Sequence, residues 1–135
     1  MADANVATLR AGYDALNRGE VSDVMALIAD EITWDPGDFT PDRDAEASGP
    51  AGFEALIRSW IDAFDDFHIE PLEVTEHGHF LIASVRQSGR GRASGLDIAI
   101  EIAHVWKVHN GRAIRLESYR NAEDARAAVE ADSGT

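Results

Sequence analysis

The spacing of apolar positions changes half-way along the chain, and that change sets the architecture to expect. Over residues 4–18, Val6, Leu9, Tyr13 and Leu16 recur at intervals of three and four, with Gly19 where a helix would stop. This predicts an amphipathic helix. A shorter one follows, with Ser22 as its N-cap and Val24, Leu27 and Ile28 turned inward; "EITWD" is then a short strand cut off by Pro36 and Gly37. Residues 36–49, "PGDFTPDRDAEASG", mix prolines, glycines and acids and predict a lid-like loop. From Pro50, at a helix-starting position, Phe53, Leu56, Ile57, Trp60, Ile61 and Phe64 return at helical spacing. They predict a long helix that presses an aromatic face onto a sheet.

In the second half the period falls to two. Strands are expected over 67–76, 79–90, 96–109 and 112–120, separated by a turn at His77-Gly78, by "GRASG" and by the hairpin signal Asn110-Gly111. Asn121 reads as the cap of a short helix over 122–130, and residues 131–135 should fray. Helices first and an antiparallel meander after them predict one α+β domain over residues 1–135, its sheet curled around the long helix. Within "LDIAIEIAHVWKV", one strand face carries Leu96, Ile98, Ile100, Ile102, His104, Trp106 and Val108. The single imidazole there is either a packed core group or one that looks into a pocket.

At 135 residues the chain can bury one core without disulfide or metal staples. It has no cysteine, which excludes disulfides, thiolate catalysis and cysteine zinc sites. The net charge is −13, and all of it arises in residues 1–76, where 18 acidic residues face 4 basic ones. Such a chain repels phosphate backbones and anionic membranes, so neither nucleic acid nor membrane is an expected partner. The N-terminus lacks an apolar core of signal-peptide length and no stretch approaches the roughly 18 apolar residues of a span, which predicts a soluble, cytoplasmic protein. "GRGRASG" lacks the strand-turn-helix context of a phosphate loop, and His77-Gly78-His79 reads as a turn. No metal and no cofactor are expected.

The order of elements, with "YDALNRGEVSDVMALIADEITWDP", "GPAGFEALIRSWIDAF", "GRGRASG" and "AHVWKVHNGRAIRLESY", resembles the SnoaL-like and ketosteroid isomerase-like branch of the nuclear transport factor two-like superfamily. The resemblance runs over nearly the whole chain. It implies a cone-shaped α+β barrel, in which N-terminal helices and a curved antiparallel sheet of the cystatin-like roll kind enclose one apolar pocket. A homodimer through the other sheet face is also implied, and Val85, Ala99 and Val105 are the side chains expected there. Steroid isomerases place a general base before a proline at the end of the first strand, where Asp35-Pro36 stands. Their donor tyrosine falls on Gly12, with Tyr13 one step round the helix. Their second donor falls on His104 if one residue is dropped from the following turn, and on Ala103 if none is. The catalytic aspartate of SnoaL-type cyclases falls on Ser118, and no inward Asp-Arg-Asp trio of the epoxide hydrolase kind is found.

The catalytic candidates are therefore Asp35 as base, His104 as oxyanion donor or acid, and Tyr13 as an auxiliary donor. Asp before Pro-Gly is also an ordinary turn starter, and a lone strand histidine is also an ordinary core residue. Trp34, Phe39, Trp60, Phe64, Trp106 and Ser118 are the candidate ligand-contacting residues; the aromatics among them serve equally well as core. The expected activity is a small acid/base enzyme, isomerase or cyclase in type, acting on an apolar or aromatic carbonyl compound. The alternative is a domain of the same fold that binds a hydrophobic molecule or dimerises without catalysis.

Overall fold

The computed structural model describes residues 2–35 and 47–133, with side chains over 5–34 and 49–131. Helix α1 (Ala2–Asn17) and the single turn α2 (Val21–Met25) lead into strand β1 (Ile28–Asp35) and the two-residue strand β2 (Ala47–Ser48). Helix α3 (Pro50–Ala63) is followed by β3 (Phe64–His77), β4 (Phe80–Gly91), β5 (Asp97–His109) and β6 (Arg112–Tyr119), and α4 (Ala122–Ser133) closes the chain. The strands form one sheet in the order β2-β1-β6-β5-β4-β3. Strands β3 to β6 make the expected antiparallel meander, whereas β1 joins beside β6 and runs parallel to it. The sheet is open, with β2 and β3 as its edges, so the helices and not strand pairing close the cone. Register shifts between Asp65 and His68, between Pro71 and Glu73, and between Lys107 and Val108 mark irregularities of the kind that bend a strand.

Turn chemistry explains most element ends. After α1, Glu20 N–H bonds to Ala15 C=O and Gly19 N–H to Leu16 C=O, a Schellman motif with Gly19 at φ 74°. Asn110 and Gly111 both take positive φ, 53° and 77°, as a type I′ hairpin requires. Asn121 Oδ1 accepts from Asp124 N–H at 2.8 Å and caps α4. Four expectations need correction. The loop expected over 36–49 gives way at Ala47–Ser48 to strand β2, which pairs with Thr33 and Trp34, and its residues 36–46 lie outside the described residues. Ser22 does not cap α2, which starts at Val21 with Glu20 before it and no side-chain cap, because burial of Val21 and Val24 anchors the turn instead. Phe64 leaves the helix: its backbone is extended (φ −131°, ψ 142°) and opens β3. The final helix continues to Ser133, past the residue 130 at which it was expected to stop.

On the concave side, α1, α2 and α3 cover a core built on Phe53, Ile57, Ile32, Trp34, Leu81, Val85 and Trp106. Helix α3 lies so close to β1 that a Cβ on Gly52 would sit 2.9 Å from the Trp34 ring. At the end of α1, Asn17 acts as a piece of strand: Nδ2 donates to Ile69 C=O at 2.8 Å, and Oδ1 accepts from Ile69 N–H at 2.7 Å. The other sheet face is partly covered by α4, where Ala125 and Val129 pack on Ile82, Ala103 and Val105. This changes the expected second face. Val85 belongs to the concave core and Val105 lies beneath α4, leaving Ala99 as the exposed member of that trio.

Replacing Asn17 by Ala would strand the N–H and C=O of Ile69, a residue with no exposed surface. The expected loss is about 2–4 kcal/mol of unfolding free energy by denaturant titration, from two unpaired backbone groups. A change below about 0.5 kcal/mol would show that α1 is held by its apolar face alone.

Candidate functional site

Beneath α1, between α3 and strands β5 and β6, lies an apolar cavity with about 60 Å³ open to the centre of a water molecule. One water needs about 10–15 Å³ on this measure, so the space suits a few waters or a ligand about one ring in size. One face of α1 supplies Asn5, Thr8, Leu9, Gly12, Tyr13 and Leu16; Phe53, Ile57 and Trp60 come from α3, and His104, Trp106 and Val108 from β5. Helical spacing puts the first six on a single stripe, and strand alternation puts the last three on one sheet face.

His104 has 1% of its surface exposed, and its imidazole is the polar centre of this wall. Nδ1 lies 2.9 Å from the hydroxyl of Tyr13, which also receives a 2.9 Å hydrogen bond from Nε1–H of Trp106. The ring lies parallel to that of Trp60 (interplanar angle 8°, centroids 6.4 Å apart). Nε2 is buried and has no hydrogen-bond partner among the described residues. Burial holds the imidazole pKa down at about 4, so the ring is neutral at pH 7. Burial pushes the Tyr13 phenol well above its usual range, only partly offset by the bond from Trp106, and the phenol keeps its proton.

The family model for the SnoaL-like domain matches residues 9–116. The chain belongs to the SnoaL-like family. Solved structures with the same fold include Bal32a from a soil-derived mobile gene cassette (20% identity over 87% of this chain and 89% of that one, TM-score 0.78). Others are an NTF2-like protein from Burkholderia pseudomallei (22% identity over 93% of this chain and 97% of that one, TM-score 0.75) and an LEH-like epoxide hydrolase of M. tuberculosis (15% over 99% of this chain and 98% of that one, TM-score 0.73). At these identities the likeness is one of fold. A comparison with curated protein sequences finds no match.

Within this SnoaL-like frame the cavity brings together Tyr13, Trp60, His104 and Trp106. Trp34 is buried but packs edge-on against Phe53 at 5.4 Å, and Phe64 packs against Phe67, so neither lines the cavity. Ser118 stands opposite His104 across the β5–β6 ladder without joining the wall. Asp35 ends β1 in register with Glu117, but its side chain, like the whole of Phe39, lies outside the described residues. Gly12 explains the displaced tyrosine. A Cβ there would already meet Leu27 at 3.3 Å, whereas Tyr13, one step round, delivers its hydroxyl to the cavity. Phe53 of α3 and the α1 residues Asn5, Thr8 and Gly12 are further lining residues that the sequence reading does not name as site residues, although the spacing of the α1 stripe carries the signal.

A larger groove of about 340 Å³ on the opposite face lies between α4 and β4–β6. Its cations are engaged: Lys107 sits over the Phe80 ring, and Arg115 reaches Thr33 and Glu117. Among the described residues no three His, Cys, Asp or Glu side chains converge as a metal site, and no helix is long and apolar enough to cross a membrane.

The depressed His104 pKa has a signed consequence. Unfolded, this histidine takes a proton near pH 6.5; folded, it does so near 4, so protonation favours the unfolded chain as pH falls between those values. Relative to His104→Leu, the wild type should lose up to about 3 kcal/mol of unfolding free energy from pH 6.5 to 4. Parallel stability curves for the two proteins over that window would contradict the buried neutral ring.

Proposed function

We propose that this SnoaL-like domain is an acid/base enzyme of isomerase or cyclase type that takes a small apolar or aromatic carbonyl compound. The observation that carries the reading is the unpartnered, buried Nε2 of a neutral His104 in an apolar wall. A ligand carbonyl oxygen there would accept a hydrogen bond that no water competes for, and the bond strengthens as charge develops on that oxygen. A neutral imidazole can serve as such a donor. Asp35 is the proposed base. It removes a proton from the carbon beside the carbonyl, the electron pair moves onto the oxygen facing His104, and the enolate is reprotonated at another carbon or attacks an internal electrophile.

A binding domain without turnover is the second reading. It is favoured by the described cavity wall, where the titratable side chains are Tyr13 and His104. A homodimer also belongs to the proposal; the exposed apolar side chains it would cover, Leu96, Ile98 and Ile100 at 65%, 37% and 43% exposure, alternate on the His104 side of the sheet and not on the face first expected to pair. Sedimentation at micromolar concentration should give twice the 14.7 kDa chain mass; a monomer alone removes the dimer.

One variant separates these readings from a merely packed histidine. His104→Leu should unfold within about 1 kcal/mol of wild type at pH 7, since it removes one orphan nitrogen and leaves the Tyr13 hydroxyl as another. Its affinity for a one-ring aromatic ketone, followed by NMR titration, should fall about tenfold or more. Equal affinity in both proteins would end the donor role. Deuterium exchange from solvent into the ketone's α-position, abolished by Asp35→Asn, separates enzyme from binder; no exchange in the wild type leaves the binding reading.

A further inference from the structure

The relay that ends at His104 has a direction, and its first member sets it. The indole Nε1–H of Trp106 can only donate, so the Tyr13 oxygen accepts at that contact. The phenol keeps its own proton, and the polar atom at hydrogen-bond distance on its other side is His104 Nδ1 at 2.9 Å. If the phenol donates there, Nδ1 is the acceptor and the imidazole proton resides on Nε2. The reverse arrangement would leave the phenol proton without an acceptor, and Tyr13 is 4% exposed. Leaving that buried donor unpaired costs on the order of 1–3 kcal/mol, enough to decide between two tautomers of similar intrinsic energy.

We propose that Trp106 is a specificity-determining positioning residue which, through Tyr13, fixes His104 as the Nε2–H tautomer and so makes the cavity a hydrogen-bond donor. Without the indole N–H, the Tyr13 oxygen is free to accept from an Nδ1–H imidazole. Nε2 then becomes a lone-pair acceptor, and the same cavity with the same shape would prefer a phenol or alcohol to a ketone. Trp106 thus chooses the ligand's functional group by a bond it makes away from the ligand. Its ring also lines the cavity, packed edge-on to His104 at 6.2 Å and to Phe53 at 6.3 Å. Phenylalanine preserves most of that packing and removes the donor. The tautomer assignment stands on the protein alone; the choice of ligand rests on the reading that a ligand meets Nε2.

The test is nitrogen-15 NMR of the imidazole, which distinguishes the protonated from the unprotonated ring nitrogen. At pH 7 the wild type should show Nε2 protonated and Nδ1 bare, and Trp106→Phe should shift a substantial population to Nδ1–H. A wild-type proton on Nδ1, or a Trp106→Phe spectrum with unchanged tautomers, overturns the proposal. If Trp106→Phe does not fold, the wild-type spectrum still decides the relay's direction, and Tyr13→Phe, which leaves Nδ1 without its donor, should lose the Nε2–H preference. The ligand arm uses acetophenone against phenol. Their affinity ratio should fall about tenfold in Trp106→Phe, one hydrogen bond's worth of discrimination. An unchanged ratio with a changed tautomer removes the specificity role. Absence of any shift at cavity residues with either compound overturns the ligand reading in "Proposed function" and leaves the tautomer result standing.

Discussion

An imidazole buried in an apolar wall has two nitrogens to satisfy, and the placement of α1 follows from how the first is satisfied. An unpaired buried polar atom costs on the order of 1–3 kcal/mol. Tyr13 removes that cost at Nδ1 only if α1 crosses the concave face at one height and one rotation. Asn17, four residues on and one helical turn further along, takes up both polar groups of Ile69 and pins the end of the helix. With two fixed points on adjacent turns, α1 has little freedom to slide or roll. The stripe from Asn5 to Leu16 therefore becomes the cavity roof, and the unpartnered Nε2 lies buried in the wall that His104 helps to form.

The cavity is electrically separate from the surface around it. A net charge of −13 on its own favours a protonated histidine. Exposed carboxylates are screened within a Debye length of about 8 Å, however, while desolvation acts on the ring directly, and burial is the cause that sets the low pKa. The acidic surface organises itself locally instead. On the outer sheet face Arg86 stands in register between Glu70 and Glu101, a cross-strand charge ladder that neither lines the cavity nor approaches His104. Helix α4 takes over the neighbouring part of that face, so the sheet has two unlike sides: one holds the site, and the other is divided between a docked helix and exposed side chains.

Local chemistry was legible from residue types alone. Gly19, Asn110-Gly111, Pro50 and Asn121 specify backbone conformations or caps through their own covalent structure, and each does so in the fold. The period change from 3.6 to 2 likewise separates helices from meander, because side-chain direction along an element follows from its backbone geometry. Phe64 marks the limit of that method. It continues the helical spacing of α3, yet it is the first residue of β3, since pairing with Gly91 outweighs one more turn of helix.

The same apolar face of β5 shows what pattern could not decide. Leu96, Ile98 and Ile100 alternate as regularly as Ile102, His104 and Trp106, but the first three are exposed and the last three buried. Alternation tells which side of the sheet a residue is on, not what lies over it. The partner of His104 is 91 residues away in the chain, and no local spacing encodes a contact of that range. The sequence by itself determined an α+β domain of SnoaL-like type with a titratable group on an apolar strand face. Only the tertiary structure decided that this group is buried and part of a cavity wall, with one nitrogen bonded to Tyr13 and the other without a partner among the described residues, because burial and hydrogen-bond partners are properties of the packed assembly of elements and not of any one of them.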